Sequence, residues 1–238
     1  MNNQPTHEDD IFKEKRKPKN PIKFKLQLNE EQKSAKAKIL ESTITLLAGA
    51  AGSGKTLLAC QIGLEKLFMR DVEKVIITRP TVSKEEIGFL PGDLREKMDP
   101  WVQPIYQNMF LLYDKVAIEK HINEGNIEIV PVSFMRGRTF VNSIVIVDEA
   151  QNVTHEQMEM IVTRIGIDSK MIVCGDDNQV DLKNKRDSGF KFLYTAASKI
   201  KNLIGIKLTT NHRNPIVEDL IELYNDAYER GMTNVKVK

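Results

Sequence analysis

Eight residues constrain this chain more than any others: Gly49, Ala50, Ala51, Gly52, Ser53, Gly54, Lys55 and Thr56. They satisfy the spacing G-x-x-x-x-G-K-[ST], in which glycines let successive backbone N–H groups turn inward toward a β-phosphate. The motif has chemical meaning only between a buried strand and a helix, because the helix N-terminus supplies part of the positive field. Both neighbours are legible: Ile44–Ala48 is a short apolar run, and residues 55–69 carry apolar side chains at helical spacing. In such a setting Lys55 reaches the β- and γ-oxygens of a nucleotide and the Thr56 hydroxyl ligates Mg²⁺.

The rest of the chain repeats that alternation. Further strands are expected at residues 74–78, 127–132, 143–147, 171–174 and 204–208, all near-continuous apolar runs of the kind buried on both faces of a parallel sheet. Helices are expected at residues 154–166, 188–199 and 215–230. Thr154 and Gln157 have capping-box spacing, and Pro215 suits a first helical turn. The fold class is therefore α/β, a single domain whose mostly parallel sheet is flanked by helices. The stretch between Thr78 and Ile127 is long for one connection; Pro80, Pro91, Pro100 and Pro104 are expected to break it into short helical pieces.

Composition excludes several classes. At 238 residues with 41% hydrophobic side chains, the chain needs no disulfide or metal to stabilise a core. Cys60 and Cys174 sit in apolar contexts and read as core residues in a reducing cytoplasm. No run approaches a membrane span, and the first ten residues lack the character of a secretory signal. Net charge is only +2, so total charge says nothing about nucleic acid. Residues 1–28 differ locally: Lys13, Lys15, Arg16, Lys17, Lys19, Lys23 and Lys25 face only Glu14 between residues 12 and 25. We read 1–28 as a basic, flexible arm, 29–232 as the ATPase-type domain and 233–238 as a tail. The arm is either merely solvated or a contact for phosphate backbones, with Phe12 and Phe24 available to stack.

A phosphate-binding loop calls for a carboxylate at the end of another strand. Residues 143–147 run into Asp148 and Glu149; Asp148 is placed to hold the metal shell and Glu149 to polarise the attacking water. The next strand ends in Gly175-Asp176-Asp177-Asn178-Gln179. Gln179 is the candidate for the γ-phosphate or the water, while Asp176 either braces the metal shell or caps the loop.

Together with Thr78-Arg79-Pro80, Gly88 to Gly92 (GFLPG), Glu96 to Trp101 (EKMDPW), Met135 to Thr139 (MRGRT) and Val147 to Asn152 (VDEAQN), these motifs closely resemble the PhoH family. The likeness runs from about Leu28 to Tyr224. It implies a RecA-like ATPase related to superfamily-one helicases, using ATP and Mg²⁺, with a role in RNA or DNA metabolism. It also implies that Gln32 reads adenine and that Arg213 contacts the γ-phosphate. Arg136 and Arg138 stay open between a trans-acting finger, nucleic-acid contact and a structural ion pair. Where many members carry Val-Val-Arg-His-Pro, this chain has Asn211-His212-Arg213-Asn214-Pro215, which leaves the role of a neighbouring histidine in doubt. No acidic nuclease cluster is present, so nuclease activity is not expected.

Only 56 residues follow Leu182, too few for a second RecA-like module. The expectation is a homo-oligomer, such as a ring, in which a neighbour completes the ATP site. Two functional classes follow: an ATPase acting on RNA or single-stranded DNA, or a nucleotide-dependent switch whose partner is a protein. A kinase is a weaker third, since Glu149 and Gln179 suit activation of water.

Overall fold

The computed structural model describes residues 18, 21–80, 94–177 and 179–229. In chain order the elements are α1 (Glu30–Glu41), β1 (Ile44–Gly49), α2 (Lys55–Phe68), β2 (Lys74–Arg79), α3 (Leu94–Leu112), α4 (Lys115–Asn123), β3 (Ile127–Pro131), β4 (Ser143–Val147), α5 (His155–Val162), β5 (Lys170–Gly175), α6 (Gly189–Ala196), β6 (Leu203–Leu208) and α7 (Ile216–Glu229). The strands form one sheet of order β3-β2-β4-β5-β1-β6. Every described pairing is parallel. The strands expected from sequence all form, each within about one residue of its bounds.

Alternation along each strand splits the core in two. Val75, Ile77, Ile144, Ile146, Ile172 and Cys174 face one layer with α1 to α4. Ile76, Val145, Val147, Met171 and Val173 face the other, against α5 and α6. Both faces of the sheet are covered, which is why its strands read as continuous apolar runs rather than alternating ones. The two cysteines are buried and unpaired, and burial pushes both thiols up.

Two expectations need correction. Pro100 and Pro104 do not divide their segment: both lie inside the 19-residue α3. A proline removes one intrahelical hydrogen bond but its fixed φ is helical. Here Val102, Ile105, Met109 and Leu112 recur at helical spacing and are all buried, and that face holds the helix together. That periodicity is present in the sequence. The second concerns Phe24, placed by sequence in the flexible arm and, in one of its two readings, available to stack. It is buried against the edge of Tyr113, while Lys25 N donates to Leu112 O at 2.9 Å. The packed chain therefore begins before residue 28. Phe12, residues 88–92, Asn178 and 233–238 lie outside the described residues.

Helix α1 is short of apolar residues and buries only Gln32, Ala35 and Ile39. Its N-terminus compensates with a complete capping box between Asn29 and Gln32. The same arrangement starts α5, where Thr154 and Gln157 cap as their spacing predicts. Among the described residues no helix is long and apolar enough to cross a membrane.

Candidate nucleotide-binding site

Because β1, β5 and β4 are neighbours and run parallel, the loops that leave their carboxyl ends meet on one edge of the sheet. They enclose a cleft of about 400 Å³ lined by Lys55, Thr56, Asp148, Glu149, Gln179 and Arg213, among others. The motifs that supply these side chains are scattered along the chain, and the fold brings them together.

The loop is shaped for backbone donors. Gly52 and Gly54 have φ of +88° and +79°. Neither tolerates a side chain: a Cβ on Gly54 falls 2.7 Å from Gln32 Nε2, and one on Gly52 falls 2.7 Å from Arg213 Cγ. Gly54 caps α2, whose first residue is Lys55. Lys55 Nζ curls onto its own loop, donating to Gly49 O at 2.7 Å and Ala50 O at 3.0 Å. Ser53 is buried with its hydroxyl lacking a partner, an orphaned donor inside the cradle. Ala50 and Ala51 complete the turn between β1 and these residues.

Thr56 Oγ1 donates to Asp148 Oδ1 at 2.7 Å. Burial raises the Asp148 pKa, and the Glu149 charge adds to that; the Thr56 hydroxyl and the Arg79 guanidinium oppose it. A buried carboxylate beside a hydroxyl at a phosphate cradle is an oxygen-only donor set. It fits Mg²⁺, which takes few protein ligands and completes its shell with phosphate and water. No group of three or more His, Cys, Asp or Glu gathers for a metal elsewhere among the described residues.

Glu149 is tethered from both sides. Its backbone is left-handed, with φ +50°. Gln151 Nε2 donates to Glu149 Oε2 at 2.6 Å, and Arg79 Nη2 reaches Oε1 at 3.4 Å. Gln151 is itself buried, and its Oε1 accepts from Asp176 N at 3.0 Å. Asp176 O in turn accepts from Gln179 N at 3.0 Å. One amide thus links the candidate base to the loop that carries Gln179. The roles of Arg79 and Gln151 escape sequence reasoning, although both lie in motifs that it singles out.

The last strand contributes the loop holding His212 and Arg213. Gln32 Nε2 and Asn29 Nδ2 each lie 3.3 Å from His212 Nε2. Amide nitrogens only donate, so that ring nitrogen accepts. Gln32 is buried and contacts the cradle without lining the cleft; its Oε1 accepts from Asn29 N in the cap of α1. The structure therefore places Gln32 beside Gly54 but with its amide engaged. Of the other arginines, Arg138 pairs with Glu128 at 2.7 Å, the structural alternative of the three. Arg136 is exposed and pairs with nothing among the described residues.

Glu31 locks this loop to α1. It accepts from Thr209 N and Oγ1 at 2.7 Å and from Thr210 N at 3.0 Å. The Thr210 side-chain hydroxyl foremost, then these bonds, lower its pKa from 4.5 to about 2. A depressed carboxylate pKa contributes stability that is complete above 4.5 and lost as pH falls toward 2. Glu31→Ala is expected to destabilise the domain by about 1 kcal/mol at pH 7, a figure reduced for solvent screening. Thermal melts of both proteins from pH 7 down to pH 2 should show that gap closing; a gap independent of pH would remove the ionic clamp.

Comparison with known proteins gives the family. The family described as PhoH-like protein matches residues 26–225. The chain belongs to the PhoH family. It is 39% identical over 196 residues to a PhoH-like protein of Synechocystis, covering 81% of this chain and 58% of that one. It is 42% identical over 183 residues to a PhoH-like protein of Bacillus subtilis, covering 74% and 56%. The chain thus spans little more than half the length of these PhoH relatives. Among solved structures, the large terminase of a thermophilic bacteriophage superposes with a TM-score of 0.54 at 10% identity, over 83% of this chain and 50% of that one. That likeness is one of fold. The domain is a single α/β unit with an all-parallel six-stranded sheet and a phosphate-binding loop after its β1 strand.

Proposed function

We propose that this PhoH domain binds ATP with Mg²⁺ and hydrolyses it, with turnover coupled to RNA or single-stranded DNA. The observation that carries the reading is the convergence of Lys55, Thr56, Asp148, Glu149, Gln179 and Arg213 on one cleft. The loop amides and Lys55 hold the β- and γ-phosphates, displacing the internal bonds Lys55 makes to Gly49 and Ala50. Mg²⁺, when bound at Thr56 and Asp148, neutralises charge on those phosphates. Glu149 takes a proton from water as its oxygen bonds to the γ-phosphorus, and the bond to the β–γ bridging oxygen breaks to leave ADP. Gln179 orients the water. Arg213, lying over Gly52 of its own chain, faces charge developing on the γ-oxygens. Gln32 reads adenine by turning its amide outward from His212.

Support for nucleic-acid coupling comes from Arg79. It belongs to the Thr78–Pro80 turn, whose counterpart in the helicases that the family resembles sits near the nucleic-acid path, and its guanidinium contacts the Glu149 carboxylate. A polymer that engages this turn draws Arg79 away and releases Glu149 as a base. Arg136, exposed beyond the end of β3, is the arginine available to a neighbouring copy in an oligomer. The domain division carries over with one change: residues 21–28 join the folded unit and the basic contact is confined to residues before them.

Phosphate release from ATP and Mg²⁺, with and without single-stranded RNA or DNA, tests the reading. Stimulation by one polymer is expected, and Arg79→Ala should raise the unstimulated rate while narrowing the difference. Slow turnover that neither polymer changes would transfer the assignment to a nucleotide switch acting on a protein.

A further inference from the structure

Helix α7 leaves a row of apolar side chains exposed. Its apolar residues Ile216, Leu220, Leu223 and Tyr224 follow i, i+4, i+7, i+8 spacing and so form one stripe. All four are exposed, Leu223 by 64%. Exposed Asp219, Glu222 and Asp226 fall along one side of that stripe. From Asn214 to Glu229 the chain contains no lysine or arginine. An amphipathic helix with a bare apolar stripe has a partner to find, since single exposed hydrophobics are common but a continuous row is not.

A complementary surface lies elsewhere on the same chain. Between α5 and α6 runs an apolar groove of about 230 Å³ walled by Met158, Val162, Phe192 and Leu193. Phe192 is 61% exposed, propped edge-on against the His155 ring. The rim on the α6 side is basic: Lys191 adjoins Phe192, and Lys185 and Arg186 precede the helix. All three are exposed and without an ion pair among the described residues. The α5 rim carries Glu159 instead. One groove edge is thus cationic and the other anionic, while α7 is anionic along one edge only. The match fixes which way round the helix sits.

We propose that α7 of one copy docks in the α5–α6 groove of a second copy of this chain, with its acidic edge against Lys185, Arg186 and Lys191. The two surfaces are different, so the contact is head-to-tail and propagates to a ring or an open chain rather than stopping at a two-fold dimer. Helix α7 begins three residues after Arg213, so docking brings the mouth of one nucleotide cleft to the subunit boundary. The inference deepens the oligomer reading above, and its test needs no turnover.

Light scattering across a concentration series, on the intact chain, is the measurement. The wild type is expected to assemble beyond a dimer as concentration rises. Leu223→Asp and Phe192→Asp alter exposed side chains, keep the wild-type circular dichroism, and should each be monomeric. Mixed in equal amounts they should recover dimers and nothing larger, because each retains one good surface. Lys191→Glu should weaken assembly and Glu222→Lys in the same chain should restore it. A wild type that stays monomeric, variants that assemble like the wild type, or a mixture that stays monomeric would each overturn the proposal. Assembly that survives both variants would leave an oligomer but place its interface elsewhere.

Discussion

Replacing Glu149 by glutamine is expected to lower ATP turnover by roughly 10²- to 10⁴-fold, the range a positioned general base contributes. ATP binding should be nearly unaffected. Glutamine preserves the shape of the side chain, and its single oxygen accepts from Gln151 Nε2, keeping the 2.6 Å tether while the 3.4 Å contact with Arg79 is lost. What disappears is the carboxylate that takes the proton. Neighbouring Asp148 does not substitute, because it is buried and bonded to Thr56, at the metal position. Single-turnover hydrolysis beside equilibrium titration with a fluorescent ATP analogue separates the two effects. Turnover within a few-fold of wild type would deny Glu149 the role of base; a parallel loss of affinity would instead make it a binding residue.

The pattern of that site is legible in the sequence to the extent that local chemistry encodes it. The Gly49–Thr56 loop needs a strand before it and a helix after it, and both are evident from apolar spacing on either side. Asp148 follows an uninterrupted apolar strand, so its place at the sheet edge follows from the parallel fold. Contacts across long separations are not legible. Arg79 meets Glu149 over 70 residues, and Glu31 meets Thr209 over 178, because β2 and β6 flank strands that are remote in sequence. Nothing in a window around either residue encodes its partner. Helix α3 shows the reverse case: its buried face is written in the spacing of Val102, Ile105, Met109 and Leu112, but the proline rule for an isolated helix points the other way. Tertiary burial prevails over local propensity there. Phe24 follows the same logic, since a basic neighbourhood says nothing about one ring that finds Tyr113.

Lys55→Met should produce the other large effect, and on a different step. The lysine in this state spends its donors on Gly49 O and Ala50 O, both at the rim of the loop, so the native fold loses only those two bonds. Melting temperature should therefore move little. Nucleotide affinity should not be spared, because the same ammonium is the one side-chain charge in the loop itself that a triphosphate meets. A charged hydrogen-bonding contact is worth about 1.5–3 kcal/mol, which converts to a loss of roughly 10- to 150-fold in ATP affinity. The deficit should be smaller for ADP, which lacks the γ-oxygens, so the ratio of ATP to ADP affinity ought to fall. Calorimetric titration of both nucleotides against wild type and variant reads that ratio directly. Equal losses for the two would confine Lys55 to the β-phosphate, and an unchanged ATP affinity would remove it from the binding site and place recognition with the loop amides alone.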